Sequence, residues 1–276
     1  MYTDPLLATL KNKRKIALIT GAAQGIGAEI AKSFINKGYF VAFVDCNEQH
    51  GIEQEQILGG SAKFYLADLA DQAQVEELSV RLHADYESID AVIHNAKSPA
   101  KEKELYKNLE TEWDPSFRVM LKHPILLNHL LLDLLKKSLN PSILYIGSTN
   151  AHFISQQPLS YHVVKGALSQ AVRYLACEYA PHNIRVNLLH PGIVSVPGRT
   201  RRNPELFQQA IESVIPLKRA VLASEIGNCS VFFASEDARY ITGASLDMDG
   251  GEHLKDHFHL LISQIAQQNE SSVGTK

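Results

Sequence analysis

The sequence predicts an α/β fold in which a parallel sheet is covered by helices on both faces. Three observations carry this. Short runs rich in β-branched and aromatic residues recur along the chain, helical patterns separate most of them, and a glycine-rich turn joins the first run to the first helix. The runs are KIALIT (15–20), YFVAFVD (39–45), AKFYLAD (62–68), DAVIHN (90–95), SILYIGS (142–148) and IRVNLLH (184–190), with SLDMDGG (245–251) as a candidate last strand. Helical patterns fall at 25–37, 72–85, 112–138 and 159–181. No long Pro/Gly/Ser linker or internal repeat divides the chain, so one domain is expected over 15–252, with extensions at 1–14 and 253–276.

The stretch from about 194 to 222 breaks the rhythm. Pro197, Gly198, Pro204 and Pro216 surround a short helical run, ELFQQAIESV. An irregular segment after a strand's carboxyl end is where a substrate lid would sit, and a purely structural excursion reads the same way. Beyond Gly251, Leu254, Phe258, Leu261, Ile262 and Ile265 recur at helical spacing, which predicts packing on the chain's own domain or on a subunit neighbour. The tail QQNESSVGTK has the composition of a disordered segment.

Composition narrows the function classes. With 45% hydrophobic and 21% charged residues the balance is that of a soluble globular protein. A formal charge of −3 gives no electrostatic reason to expect nucleic acid or an anionic membrane as partner. The longest apolar stretch, PILLNHLLLDLL, is interrupted by Asn128, His129 and Asp133 and is too short and too polar to span a bilayer. Cys46, Cys177 and Cys229 are too few and too far apart for a disulfide framework or a metal cluster, and a cytoplasmic location is expected. His94, His123, His152, His162 and His190 show no ligand spacing, so no metal is expected. Most read as polar edge residues, with His152 and His190 as candidate substrate contacts. Arg199, Arg201 and Arg202 in GRTRRN are candidates for an anionic substrate group, although an arginine run on a loop is more often solvated.

Three groups carry chemistry. TGAAQGIG (20–27) follows the first strand and opens the first helix. There Gly21, Gly25 and Gly27 allow a tight turn and a close approach of backbone to a pyrophosphate at the helix N-terminus. The spacing differs from the usual G-x-G-x-x-G, and a glycine turn without a ligand remains open. Asp45 ends the next strand 18 residues beyond Gly27, where a carboxylate can accept hydrogen bonds from both hydroxyls of an adenosine ribose. It would lie against the extra phosphate of NADP, and DCNEQH supplies no Arg or Lys to offset that, so NAD is the expected cofactor. Asp45 as a cap for the following helix is compatible with either role.

In SYHVVK, Tyr161 and Lys165 are four residues apart and share a helix face. A phenol ionises near pH 10, and a neighbouring ammonium favours its anion. Ser148 ends a strand 13 residues before Tyr161. If strand end and helix converge, Ser148 would hold a carbonyl oxygen, Tyr161 would give or take the proton, and Lys165 would favour tyrosinate and bind the nicotinamide ribose.

TGAAQGIG, VD, AD (67–68), HNA (94–96), GS (147–148), YHVVK, IRVNLLHPG (184–192) and ASEDARYITGASLDMDGG (234–251), in this order, resemble the short-chain dehydrogenase/reductase family from about Lys15 to Gly251. The resemblance implies a single Rossmann-like domain with a doubly wound seven-stranded parallel sheet, and a homodimer or homotetramer. It implies that Gly21, Gln24, Gly25, Ile26 and Gly27 form the pyrophosphate turn. Asp68 and Leu69 would lie at the adenine, Asn95 and Ala96 near the adenosine ribose, and Pro191, Gly192 and the backbone of Val194 at the nicotinamide. The implied reaction is NAD-dependent interconversion of a secondary alcohol and a ketone, with the substrate pocket built from 97–105, 150–158 and 194–215. An enoyl reductase would have its lysine seven positions after the tyrosine, where Leu168 stands.

The sequence departs from the family pattern in places. Met120 aligns with an asparagine that helps a water chain carry the proton from the lysine to solvent, and a thioether is only a weak acceptor. Asn128 lies about two turns on. His94 and Lys97 replace the first asparagine and the glycine of NNAG, and Val196, with Ser195 beside it, replaces a threonine. Two functional expectations result: a working oxidoreductase whose proton leaves by another route, or a cofactor-binding protein of this fold with weak or no catalysis.

Overall fold

The computed structural model describes residues 14–98, 109–198 and 203–266, save 257, 259 and 264. The N-terminal extension as far as 13, Arg199, Arg201, Arg202 and the final tail lie outside the described residues.

Seven strands form one parallel sheet in the order β3-β2-β1-β4-β5-β6-β9. These are β1 (Ile16–Thr20), β2 (Phe40–Asp45), β3 (Ala62–Leu66), β4 (Ala91–His94), β5 (Ser142–Ile146), β6 (Arg185–Pro191) and β9 (Ser245–Met248). β4, β5 and β6 are buried at every residue because both faces of a parallel sheet are covered, which is why their sequences read as continuous apolar runs. The seven-stranded expectation holds, and SLDMDGG supplies the edge strand beside β6.

Side chains alternate between two cores. Leu18, Val44, Val92, Tyr145 and Leu188 point to one side. There they pack on Leu78 of α3 (Gln72–Asp85), Leu127 of α5 (His123–Leu130) and Leu168 of α7 (Leu159–Tyr179). Ile19, Phe43, Ile93, Leu144 and Leu189 point to the other side, onto Phe34 of α1 (Gly25–Asn36) and Ile226 of α9 (Ala223–Ala234). α2 (Glu48–Leu58) lies on Phe64 through Gly51, where a Cβ would collide with the ring.

The helical pattern at 112–138 is not one helix. It divides into α4 (Leu109–Phe117), a π turn (Arg118–Lys122), α5 and α6 (Leu132–Lys136). Pro124 has no N–H to give to the carbonyl of Met120 four residues earlier, and a ladder deprived of that bond relaxes locally into the wider turn. At Leu131 the backbone leaves helical angles (φ −95, ψ 7), which separates α5 from α6.

After β6, Val194–Ser195 (β7) pairs in parallel with Val221–Leu222 (β8), and the run ELFQQAIESV forms α8 (Pro204–Val214), capped by Asn203 through Leu206 N–H. Beyond Gly251, Leu254, Phe258, Leu261, Ile262 and Ile265 are exposed. Packing on their own domain, one of the two expectations, is therefore not what the structure shows.

α1 and α9 approach closely because Gly227 has no side chain: a Cβ there would run into Ser33 Oγ and lie 2.9 Å from the carbonyl oxygen of Glu29. Gly227→Ala is expected to destabilise the protein by about 1–3 kcal/mol, as overpacking does. A thermal melt should show a fall of roughly 2–10 °C; an unchanged midpoint would mean that the helices separate freely.

Candidate active site

The strand order reverses between β1 and β4, so the loops leaving these neighbours diverge at the carboxyl edge and open a crevice. The glycine-rich turn lies in this crevice. Gly21 and Gly25 both have φ +66, a left-handed conformation that favours glycine. A Cβ on Gly21 would lie 2.6 Å from Ala96 Cα, and one on Gly27 would collide with the carbonyl oxygen of Gly21. The turn is thus pressed against the end of β4 on one side and against α1 on the other. Gln24 caps α1 without any side-chain hydrogen bond, which leaves the first amides of the helix to face the crevice.

Thr20 and Asn95 join β1 to β4 behind this turn. Thr20 Oγ1 accepts from the amides of Asn95 (3.1 Å) and Ala96 (3.2 Å), and Asn95 Nδ2 donates to the carbonyls of Thr20 (3.2 Å) and Gly21 (2.8 Å). The Asn95 side-chain NH2 is therefore engaged in holding the turn. Thr20 was not singled out from the sequence, because its partners are 75 residues away.

Asp45, at the end of β2, accepts from Ala23 N–H (3.1 Å) inside the glycine turn and from Asn47 N–H (3.1 Å). Asn47, not Asp45, caps α2, through His50 N–H. A carboxylate has about four lone-pair sites, so acceptor capacity is left over. Asp68 is exposed and accepts from Ala70 N–H (2.8 Å), and Leu69 beside it is buried, its carbonyl taking a hydrogen bond from His123 Nδ1 (2.7 Å).

On the other side of the crevice Ser148, Tyr161 and Lys165 come together. Ser148 follows β5 and its Oγ accepts from Asn150 N–H (3.2 Å). Tyr161, on the first turn of α7, lies near Ser148. Lys165 is buried one turn on, donates from Nζ to the carbonyl of Ile146 (2.7 Å), and lies 5.5 Å from the centre of the Tyr161 ring. Burial, seconded by the charge of Lys97, pushes the ammonium down to about 7. Burial also raises the Tyr161 phenol, a rise only partly opposed by the neighbouring Ser148 hydroxyl. The expected tuning of the phenol by Lys165 is thus not seen in the protein alone: desolvation is the largest influence on both groups.

Met120 sits buried within the π turn, and Asn128 does not stand in for it. Asn128 Oδ1 pairs with His94 Nε2 (2.7 Å) and its Nδ2 donates to Tyr145 OH (2.8 Å), a closed buried triad. Pro191 ends β6, Gly192 N–H donates to the carbonyl of Met248 (3.0 Å), and Val194 is held beside Val221. A Cβ on Gly192 would lie 2.8 Å from Asp249 Cβ. Ser195 is exposed and Val196 half-buried.

The histidines correct the sequence reading. His94, His123, His162 and His190 are buried, not edge residues. His162 braces the loop after Ser148, Nδ1 against the Asn150 carbonyl (3.0 Å) and Nε2 accepting from Ser155 N–H (3.3 Å). His190, fully buried, is no substrate contact, whereas His152 is exposed and pairs through Nε2 with Asp247 Oδ1 (3.0 Å). His152, His190 and Asp247 bring donor atoms within 4.8 Å of one another, a cluster that their sequence separation hides.

A family profile described as enoyl-(acyl carrier protein) reductase matches residues 21–253. The chain is a short-chain dehydrogenase/reductase. It is 31% identical over 245 residues to an uncharacterized oxidoreductase of Thermotoga maritima (86% of this chain, 96% of that one). It is 31% identical over 242 residues to the 3-oxoacyl-[acyl-carrier-protein] reductase FabG of Buchnera aphidicola (87% and 98%). Among solved structures, a 3-ketoacyl-(acyl-carrier-protein) reductase from Brucella melitensis complexed with NADH superposes with a TM-score of 0.77 at 28% identity, covering 86% of this chain and 98% of that one. This short-chain dehydrogenase/reductase is accordingly an oxidoreductase that takes a nicotinamide dinucleotide.

Burial holds His94 down at about 4, so it is neutral in the fold. Above its ordinary 6.5 it is neutral in folded and unfolded chains alike; as pH falls toward 4 only the unfolded chain takes the proton, and stability is lost. At pH 5 the loss is on the order of 2 kcal/mol, or roughly 4–8 °C of melting temperature. His94→Gln should melt lower than wild type at pH 7 yet show a flatter decline from pH 7 to 5. An unaltered decline would assign the titration elsewhere.

Proposed function

We propose that the protein is an NAD(H)-dependent oxidoreductase interconverting a ketone and a secondary alcohol. The observation that carries this is the meeting of Ser148, Tyr161 and Lys165 at the carboxyl edge of the sheet, across the crevice from the glycine turn and Asp45. The glycine turn suits a pyrophosphate, since Gly21 and Gly27 let the backbone close tightly against Ala96 and the start of the helix, and nothing lies within 4 Å of a Cβ at Gly25. The spare acceptor capacity of Asp45 suits a ribose diol. Neither TGAAQGIG nor DCNEQH carries an Arg or Lys to pair with a ribose phosphate, and this favours NAD over NADP. The Brucella structure, complexed with NADH, is consistent with that preference.

When bound, the nicotinamide supplies or accepts the hydride. Ser148 Oγ holds the reacting oxygen, and Tyr161, near Ser148, gives that oxygen a proton in reduction and takes it back in oxidation. Lys165, one turn along the same face, holds the nicotinamide ribose and, as its ammonium, favours tyrosinate. Its four-residue spacing from Tyr161 favours carbonyl and alcohol chemistry over enoyl reduction, despite the description of the matching profile. Keto esters and 3-oxoacyl thioesters are the first substrates to test, given the FabG relatives. A lid at 194–222 and assembly into a homodimer or homotetramer belong to the same reading, the latter supported by the exposed Leu254, Phe258, Leu261, Ile262 and Ile265.

Turnover should be followed by absorbance with NADH and NADPH against a ketone panel, and with the oxidised cofactors against alcohols. NADH is expected to be preferred, and Tyr161→Phe to lower the rate roughly 100- to 10,000-fold. Activity that survives this change would remove Tyr161 as the acid.

Met120 supports a second reading, a cofactor-binding protein with weak or no catalysis, because no amide stands at the relay position. Met120→Asn separates the two. A rate gain of about tenfold or more would mark a crippled relay; little change in an active enzyme would mark a rerouted one. Tight NADH binding without turnover in either form would favour the non-catalytic protein.

A further inference from the structure

Just beyond β5, a histidine side chain takes the place of the next sheet hydrogen bond. Gly147 N–H still donates to the Leu189 carbonyl of β6 (2.6 Å), but the Ser148 N–H donates to His190 Nδ1 (3.1 Å). From there the chain leaves the sheet, with Ser148 extended (φ −169, ψ 150) and its Oγ receiving Asn150 N–H. Room for the ring comes from Gly147, where a Cβ would run into His190 Nδ1.

A backbone amide can only donate, so Nδ1 must be the unprotonated nitrogen and the single hydrogen of the neutral ring sits on Nε2. Nε2 lies 3.5 Å from Ser169 Oγ, on α7, one turn beyond Lys165 and two beyond Tyr161. One fully buried imidazole thus links the strand end that carries Ser148 to the helix that carries Tyr161 and Lys165. The groups facing it are His152, ring to ring at 4.8 Å in an edge-on arrangement, Asp247 from β9, and Lys165 from α7. His152 and Asp247 pair with each other. The donor atoms of His152, His190 and Asp247 converge, yet His190 has no spare lone pair for a cation, since Nδ1 is occupied and Nε2 carries the hydrogen.

We propose that His190 is a positioning residue for Ser148: its neutral imidazole fixes the serine backbone relative to α7, and so the spacing between the Ser148 hydroxyl and the Tyr161 phenol. This rests on the oxidoreductase reading and adds to it a residue that touches neither cofactor nor substrate. Protonating Nδ1 would set two N–H groups against each other, so the support exists only in the neutral ring. Burial keeps it neutral, holding His190 down at about 4.

Two substitutions and one spectrum test this. His190→Leu fills the space without an acceptor, and His190→Asn returns an acceptor oxygen close to the Nδ1 position. Among folded variants, checked by thermal melts, the leucine form is expected to lose roughly 10- to 100-fold in kcat. Its KM for NADH and for the carbonyl substrate should change by less than about twofold, and the asparagine form should recover to within about fivefold of wild type. A leucine form within about twofold of wild type in kcat, or an asparagine form as impaired as the leucine one, overturns the proposal. Nitrogen-15 NMR of the wild-type imidazoles decides independently of turnover and of whether the variants fold. A His190 ring bare at Nδ1 and protonated at Nε2 from pH 8 to 5 supports the proposal; a hydrogen on Nδ1 ends it. If wild type turns over no substrate, the oxidoreductase reading fails alone, and the spectrum still reports whether His190 holds Ser148.

Discussion

A parallel sheet covered on both faces leaves its polar chemistry one exit, the ends of the strands, and the rest of this molecule follows from that constraint. The middles of β4, β5 and β6 are closed to water, so every group proposed to do chemistry sits at a carboxyl edge or on the first turns of a helix beginning there. Backbone leaving a buried sheet needs new partners at once. Here they are side chains: Thr20 for the amides after β4, Asn95 for the carbonyls after β1, His190 for the amide after β5. The site is largely a set of solutions to that need.

Desolvation, not pairwise attraction, governs the charges. Lys165, His94 and His190 are all pushed toward their neutral forms, and Tyr161 is kept from ionising. A buried interior lacks the water that would support a charge, and one hydrogen bond seldom replaces it. Lys165, held near 7, is thus only partly charged at neutral pH, and the polarity of a bound dinucleotide and substrate would act on groups whose charge is readily shifted.

Much of this was legible in the sequence because it depends on local pattern. Strand runs, the glycine turn and the Tyr161–Lys165 spacing are set by residues near one another, and their elements appear within a residue or two of the expected bounds, save the last strand, which ends at Met248 and not at Gly251. The break in 112–138 was half visible: Pro124 was in plain sight, but the apolar content on either side read as one helix. What stayed hidden depends on distant partners. Thr20 is silent until β4 lies beside β1, Asn128 until His94 and Tyr145 flank it, and His152 until Asp247 arrives 95 residues later. The burial of Tyr161 and Lys165 was hidden for a related reason, since spacing gives proximity along a helix but not depth below the surface.

The clasp between Asp45 and the Ala23 amide has a consequence for redesign. One carboxylate both carries the proposed ribose contact and ties the glycine turn to the end of β2. Exchanging it for a cation, the obvious step toward a phosphorylated dinucleotide, would also unfasten the turn proposed to cradle the pyrophosphate. Cofactor choice in this protein is therefore coupled to the shape of its own binding loop, and changing one while keeping the other calls for at least two coordinated replacements: a new cation, and a new acceptor for Ala23.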